Sequence, residues 1–147
     1  MKVLVSDKLS QEGIDILNAV DGIHVIYKTN LKPEDLKKEI HDVEALIVRS
    51  STQVTKEVLA EANKLKIVGR AGIGVDNIDC AAATEHGVIV INTPSGNATT
   101  TAEHTIAMLM SLSRHIPQAD KSMHQGAWEK SKFTGTEITG KILGIIG

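Results

Sequence analysis

The chain has 147 residues, 16 basic and 18 acidic side chains, and a formal net charge of −2. Its length suits one domain with a real core, and without a large block of one charge nothing favours nucleic acid or a membrane surface as a partner. The single cysteine excludes an intramolecular disulfide, and because only 2% of the residues are aromatic the core must be aliphatic. The sequence has neither an apolar leader nor an apolar run of membrane-spanning length, which predicts a cytoplasmic protein.

The first two thirds of the chain alternate short apolar runs with amphipathic segments. Strands are predicted at residues 2–7, 24–27, 45–48, 66–68 and 88–91. Helices are predicted after Ser10, from Pro33, from Thr55 to Ala62 and, as a shorter element, from Asp76 to Thr84. This alternation predicts an α/β fold with a parallel sheet.

The last third has a different pattern. Residues 99–123 are predicted to be helical, with Ile106 and Met110 among the inward-facing residues, and Pro117 predicts either a kink or a second helix that begins near Ile116. Residues 125–139 lose the apolar periodicity and are interpreted as a connecting arm. Lys141–Gly147 is predicted to be an apolar strand that ends in glycine, which is how a dinucleotide-binding unit begins. A last strand of a single domain is the alternative.

Two turns directly follow predicted strands, at residues 69–74 and 92–97. Since ligands bind at the carboxyl ends of parallel strands, these turns predict a pocket rim. Gly72 and Gly74 would let backbone N–H groups approach a ligand, and Arg49 and Arg70, which also follow strands, could hold a phosphate or carboxylate together. Tight turns without a ligand and simply solvated arginines remain alternatives.

Other chemical motifs are weak. Gly72-Ile73-Gly74 does not begin a GxGxxG fingerprint, because the third position falls on Asn77. The six histidines lack metal-ligand spacing, and Glu103 and His104 do not face each other as helical neighbours. Cys80 lies among alanines and is predicted to be a small buried side chain.

Several segments together resemble the D-isomer-specific 2-hydroxyacid dehydrogenases. They are residues 70–79, 92–97 and 102–103, with further similarity at 126–128 and 133–137. The resemblance implies a flavodoxin-like substrate-binding domain over residues 1–97, with helices on both faces of its parallel sheet. It also implies a crossover helix and interdomain or dimer arm over 98–140, and the first strand of a Rossmann NAD-binding domain over 141–147.

The resemblance further implies an activity: NAD-dependent oxidation of 3-phosphoglycerate to 3-phosphohydroxypyruvate, the first step of serine biosynthesis. The positions that match substrate-binding residues of the family are Arg49, Ser50, Arg70, Gly72, Gly74 and Asn97. Ile73 and Gly147 match positions near the cofactor, and no metal is implied. The family is expected to act as a homo-oligomer, with Lys130 in an arm that reaches a second subunit. The family's catalytic arginine, glutamate and histidine would lie beyond Gly147, so we expect this chain alone to be inactive.

Other functions remain open at this point. Another 2-hydroxyacid dehydrogenase, such as a glyoxylate or hydroxypyruvate reductase, is the nearest, although Arg70 favours a phosphorylated substrate. A non-catalytic dehydrogenase-like corepressor is a second alternative. A signalling receiver is disfavoured, because its third strand should be followed by aspartate and here Arg49 follows.

Overall fold

The computed structural model describes residues 1–146, which fall into two compact units divided between Gly96 and Asn97. The elements of the first unit are β1 (Lys2–Val5), α1 (Gln11–Asn18), β2 (His24–Tyr27), α2 (Pro33–Ile40), β3 (Ala45–Val48), α3 (Lys56–Ala60), β4 (Ile67–Arg70), α4 (Cys80–Glu85) and β5 (Ile89–Asn92). All the strands and helices predicted for this part of the chain are therefore present, with ends shifted by a few residues.

The five strands form one parallel sheet in the order β2-β1-β3-β4-β5. From β1 the chain moves to one side for β2 and returns to the other side for β3. This is the flavodoxin-like strand order, which confirms the fold implied by the sequence. The reversal leaves a crevice at the carboxyl ends of β1 and β3.

Alternate side chains of the strands pack on opposite faces of the sheet. Leu4, Leu46 and Val68 are buried in one cluster with α2, α3 and α4, whereas Val3 and Val5 pack with residues of α1. Full burial of a leucine or valine side chain stabilises a fold by about 1.5–3 kcal/mol relative to exposure. The helices therefore cover both faces, as predicted.

Local sequence signals set the helix starts. The Ser10 hydroxyl accepts a hydrogen bond from the Gly13 backbone N–H and caps α1. α2 begins at Pro33, whose missing N–H costs nothing in the first turn, and Glu34 and Asp35 favour the positive end of the helix dipole.

Part of the α1 face of the sheet remains open near β4 and β5. Ile89 and Ile91 are 61% and 50% exposed. An apolar groove of about 280 Å³ runs over this surface, with Val3, Ile47 and Ile67 among its lining residues. Its walls are mostly aliphatic, so it offers little to a charged ligand.

The second unit contains two helices, α5 (Ala98–Ser113) and α6 (Ile116–His124), and a 3₁₀ turn (Lys130–Phe133). His115 adopts a left-handed conformation with φ of 54°, which ends α5, and Pro117 lies in the first turn of α6. Of the two sequence-based alternatives, two consecutive helices are confirmed. None of the helices in residues 1–146 is long and apolar enough to cross a membrane.

Two predictions of burial are wrong. Ile106 and Met110, expected to face inward, are 51% and 39% exposed, and α5 contains no buried residue. A periodic apolar pattern predicts which face of a helix can be buried, but burial also requires another element that packs against that face. Cys80 is exposed, because α4 instead turns Ala82 and Ala83 into the core.

The predicted strand at the end of the chain is not formed in the described residues. Residues 141–146 have no regular secondary structure, and Ile142 and Ile146 are fully exposed. A β-strand forms through hydrogen bonds to a neighbouring strand, and residues 97–146 contain no other strand to pair with. Gly147 lies outside the described residues.

The amino-terminal edge of the sheet carries a network of ion pairs. Lys2 Nζ donates to Asp42 Oδ2 at 2.5 Å, and Lys64 Nζ donates to the other carboxylate oxygen. These hydrogen bonds, from Lys2 and then Lys64, lower the pKa of Asp42 from 3.8 to about 2. Lys66 Nζ likewise contacts Glu44 Oε1 at 3.1 Å and lowers the pKa of that carboxyl.

We expect Asp42→Asn to weaken the fold at neutral pH but not in strong acid. Because the folded-state pKa is depressed, the ion pairs stabilise the fold above the ordinary pKa, and this contribution is lost as the pH falls through about 4 towards about 2. The loss at neutral pH should be modest and should shrink with added salt, since the pairs are exposed. Urea unfolding of both proteins across this pH range measures the difference. Asp21→Asn, in an exposed turn, is the control, and an equal loss at every pH would contradict the prediction.

Candidate functional site

The carboxyl-terminal edge of the sheet brings polar residues from three strands together. Asp7 follows β1, Arg49 follows β3, and Arg70 is the last residue of β4. Val48 is the register partner of Arg70, and Arg70 Nε donates to the Arg49 carbonyl oxygen at 3.2 Å. The prediction that Arg49 and Arg70 share one rim is confirmed. Arg49 lies at the crevice between β1 and β3, where ligands bind in sheets of this topology, and Arg70 lies one strand further along the same edge.

Arg49 is the more available of the two cations. Its side chain is exposed, and among the described residues its guanidinium makes one hydrogen bond, from Nη1 to the Lys8 carbonyl oxygen at 3.3 Å. A guanidinium has five N–H donors, so most of them remain available for a ligand. Ser50, the next residue, is also exposed.

Arg70 is largely engaged within the protein. Its side chain is 11% exposed, its Nη1 donates to the Gly74 carbonyl oxygen, and its Nη2 lies 3.6 Å from Asp76 Oδ1. The sequence predicted the position of Arg70 on the rim correctly, but it did not predict these contacts. The acceptors of a long side chain are brought within its reach only when the loop has folded. The two arginines therefore differ: one is open and one is folded against its own loop.

The glycines of the following turn make room for this guanidinium. A Cβ at Gly72 would lie 2.9 Å from Arg70 Nη1, and one at Gly74 would lie 2.8 Å from Asp76 Oδ1. The Gly72 N–H already donates to the Arg70 carbonyl oxygen at 2.9 Å. A side chain at either position would displace only the flexible end of Arg70 or Asp76, and the predicted ligand contact of the glycines stays a prediction.

The two rim turns are joined by hydrogen bonds. Thr93 N–H donates to the Gly72 carbonyl oxygen at 3.0 Å, and Asn92 Nδ2 donates to the Ile73 carbonyl oxygen at 2.6 Å. Ile73 is held between them with its side chain 45% exposed. The rim turn thus carries a half-exposed apolar residue.

Sequence reasoning missed the polar framework beneath the rim. Asp7, 5% exposed, accepts hydrogen bonds from the backbone N–H groups of Arg49, Ser51 and Thr52 at 2.6, 3.3 and 3.1 Å, and from the Thr52 hydroxyl at 2.8 Å. Asn77, also 5% exposed, donates from Nδ2 to the carbonyl oxygens of Arg49 and Thr52 at 2.8 and 2.6 Å. The one sequence signal that could have identified Asp7 is its position after β1, which matches the position of Arg49 after β3.

The remaining predicted site residues lie in the second unit or outside the described residues. Asn97 is the N-cap residue of α5, but its side chain makes no capping hydrogen bond. Lys130 begins the 3₁₀ turn and is exposed. Nearby, hydrogen bonds from the Ser122 hydroxyl and then from Lys132 lower the pKa of Glu129. Gly147 is not described, and residues 1–146 contain no cluster of three side chains suited to hold a metal ion.

Comparison with known proteins gives a consistent result. The family model described as "D-isomer specific 2-hydroxyacid dehydrogenase, catalytic domain" matches residues 3–142. The chain is 50% identical over 147 residues to the D-3-phosphoglycerate dehydrogenase of Archaeoglobus fulgidus, covering all of this chain and 28% of that protein. It is 53% identical over 146 residues to the human D-3-phosphoglycerate dehydrogenase, covering 99% of this chain and 27% of that protein.

The structural comparison agrees with these relatives. The NAD⁺-bound 3-phosphoglycerate dehydrogenase of Entamoeba histolytica superposes with a TM-score of 0.70 at 31% identity, over 78% of this chain and 39% of that one. The chain spans less than a third of the length of the two relatives compared above. The match to the family model nonetheless extends over nearly all of its residues. This chain therefore belongs to the D-isomer specific 2-hydroxyacid dehydrogenase family.

Proposed function

We propose that this chain supplies the substrate-anion site of an NAD-dependent enzyme that oxidises 3-phosphoglycerate to 3-phosphohydroxypyruvate, the first step of serine biosynthesis. The names of the relatives at about 50% identity support the substrate. One observation in the chain itself carries the proposal. The exposed guanidinium of Arg49 follows β3 at the crevice where the strand order reverses, and Arg70 on the neighbouring strand donates from Nε to the Arg49 carbonyl oxygen.

The proposed roles follow from the chemistry of these side chains. Arg49 offers a planar fork of N–H donors that matches a phosphate or carboxylate, and Ser50 adds a hydroxyl. Arg70 joins when an anion replaces Asp76 near its Nη2. Asn97 is proposed as a further substrate contact from the family resemblance. Together these groups bind and orient the anion, and no proton transfer is assigned to them.

NAD belongs to the proposed activity of the whole protein, where it would accept a hydride from the substrate carbon that carries the hydroxyl. The rim turn is not a pyrophosphate loop, because Asn77 replaces the third glycine and the following helix, α4, has only six residues. This turn therefore does not supply the pyrophosphate site of NAD. Ile73 is proposed to border the cofactor with its half-exposed apolar side chain, and Gly147 is proposed as a second neighbour.

Assembly and location are part of the same proposal. We propose a cytoplasmic homo-oligomer in which Lys130 reaches the site of a second subunit. The exposure of Lys130 and of the apolar side chains on α5 supports this assembly. Neither nucleic acid nor a membrane is proposed as a partner.

A second candidate is a reductase for a small 2-oxo acid such as glyoxylate or hydroxypyruvate. The observation in its favour is that Arg70 is engaged with Gly74 and Asp76, which leaves one open cation, enough for a single carboxylate. The phosphate distinguishes the two functions, since D-glycerate carries the carboxylate of 3-phosphoglycerate without its phosphate.

Arg49→Ala should weaken binding of 3-phosphoglycerate by tenfold or more. A hydrogen bond to a charged group contributes about 1.5–3 kcal/mol, and about 1.4 kcal/mol corresponds to tenfold in affinity. Calorimetric titration of this chain with 3-phosphoglycerate and with D-glycerate measures the effect. Arg49 is a cleaner test than Arg70, because Arg70→Ala also removes hydrogen bonds that hold its loop.

Lys38→Ala is the matched control, since Lys38 is an exposed cation on α2 that pairs with Asp35. It should leave both affinities unchanged. Equal affinity of the wild-type chain for 3-phosphoglycerate and D-glycerate would favour the reductase. Unchanged binding in Arg49→Ala would contradict the proposed site.

Asp76→Asn should strengthen binding of 3-phosphoglycerate several-fold. The Asp76 carboxylate is 85% exposed and lies 3.6 Å from Arg70 Nη2, so it competes with an incoming anion for the same cation. The same titration at low and moderate salt measures the gain, which should shrink as salt screens the charges. Asp21→Asn is the control for a general change in net charge. Weaker binding in Asp76→Asn would mean that Asp76 orients Arg70 rather than competing for it.

A further inference from the structure

The Asp7 carboxylate is bound entirely by one turn. It accepts four hydrogen bonds, three from backbone N–H groups and one from the Thr52 hydroxyl, and every donor belongs to residues 49–52. Among the described residues it makes no ion pair. Burying a carboxylate is costly unless hydrogen bonds replace its water. These four donors do so, and they fix the turn to the end of β1.

Asn77 holds the same turn from its acceptor side. Its amide group donates to the carbonyl oxygens of Arg49 and Thr52, which are the two ends of the turn. The Arg49 carbonyl also accepts from Arg70 Nε. The turn fixed by Asp7 and Asn77 therefore carries the backbone of one rim cation and an acceptor that orients the other.

The place of this framework in the fold adds a further point. Asp7 stands at the carboxyl end of β1 and the turn stands at the carboxyl end of β3, on the two sides of the crevice created by the reversed strand order. Polar groups in that position can either bind a ligand directly or hold the groups that do. Asp7 is 5% exposed and its oxygens are already occupied by N–H and O–H donors, so only the second role fits it.

We propose that Asp7, assisted by Asn77, is a positioning residue for anion binding at the rim. It keeps the 49–52 turn ordered before the ligand arrives, so that little ordering of Arg49 and Arg70 remains to be done on binding. This inference rests on the proposed function, because it assumes that the anion bound at the rim is 3-phosphoglycerate.

The test compares Asp7→Asn with the wild-type chain. Asparagine keeps the size of the side chain, but it removes the charge and replaces one acceptor oxygen with an NH2 donor, which cannot accept from the N–H and O–H groups that face it. Asp15→Asn is the matched control, because Asp15 is an exposed aspartate on α1 that contacts Gln11. Both measurements are made under conditions in which circular dichroism shows that each protein is folded. The first is the Kd for 3-phosphoglycerate, with inorganic phosphate as a second probe. The second is the rate of hydrogen exchange of the Arg49, Ser51 and Thr52 amides without ligand.

We expect Asp7→Asn to raise the Kd about tenfold and to accelerate exchange of the three amides, with Asp15→Asn changing neither. A purely structural role would lower the unfolding midpoint and leave the Kd of the folded protein unchanged, and that result would overturn the proposal. Unchanged exchange of the three amides would overturn it as well.

Thr52→Val serves if Asp7→Asn does not fold, since it removes one donor to Asp7 and keeps the shape of the side chain. The same two changes, smaller in size, are expected, and their absence would overturn the proposal. A wild-type chain that binds neither 3-phosphoglycerate nor phosphate would contradict the proposed function itself. In that case the exchange of the three amides still tests whether the turn depends on Asp7: faster exchange in Asp7→Asn supports this dependence, and unchanged exchange overturns it.

Discussion

The pairing of β1 with β2 on one side and β3 on the other is the constraint on which the rest of the first unit depends. With the pairings of β3 with β4 and β4 with β5 it aligns five strands in parallel, so their carboxyl ends lie along one edge, and it makes the connections leave β1 and β3 in opposite directions. The crevice between those two ends is a product of topology alone. What fills it depends on the residues that follow each strand. Here they are a buried carboxylate after β1 and a cation-bearing turn after β3.

A polar framework beneath the rim resolves a conflict between burial and charge. Turn residues 49–52 present N–H and C=O groups to the interior, where each would be costly without a partner. Asp7 accepts from the N–H groups and Asn77 donates to the carbonyl oxygens, so two short side chains satisfy most of one turn. The same bonds leave the guanidinium of Arg49 outside, in water. An ordered backbone under an exposed cation is the arrangement that favours tight binding of an anion.

Much of this could be predicted from sequence, and the rest could not, for physical reasons. Apolar runs such as Ala45–Val48 between turn signals located the strands, and strand ends located Arg49 and Arg70 on one rim. The contacts of Arg70 depend on the Arg49 carbonyl oxygen, which a different turn supplies, and on the folded shape of its own turn, and no local pattern encodes either. The exposed face of α5 and the missing strand at 141–146 were mispredicted for a related reason. Amphipathicity and strand propensity describe what a segment can bury or pair, not whether a partner surface is present.

The pair of Arg70 and Asp76 makes the ligand-free rim partly self-neutralised. Coulomb's law gives about 1 kcal/mol for two unit charges at this separation in water, and solvent screens the pair from the side of Asp76, which is 85% exposed, whereas Arg70 is 11% exposed. A phosphate carries more charge than one carboxylate and accepts through several oxygens, so it can replace Asp76 at little cost. The hydrogen bonds of Arg70 to the Arg49 and Gly74 carbonyl oxygens need not break in that exchange. Arg70 is thus held in place by two neutral carbonyl oxygens and only weakly by the Asp76 carboxylate. Its position therefore stays fixed while its charge remains available to a ligand.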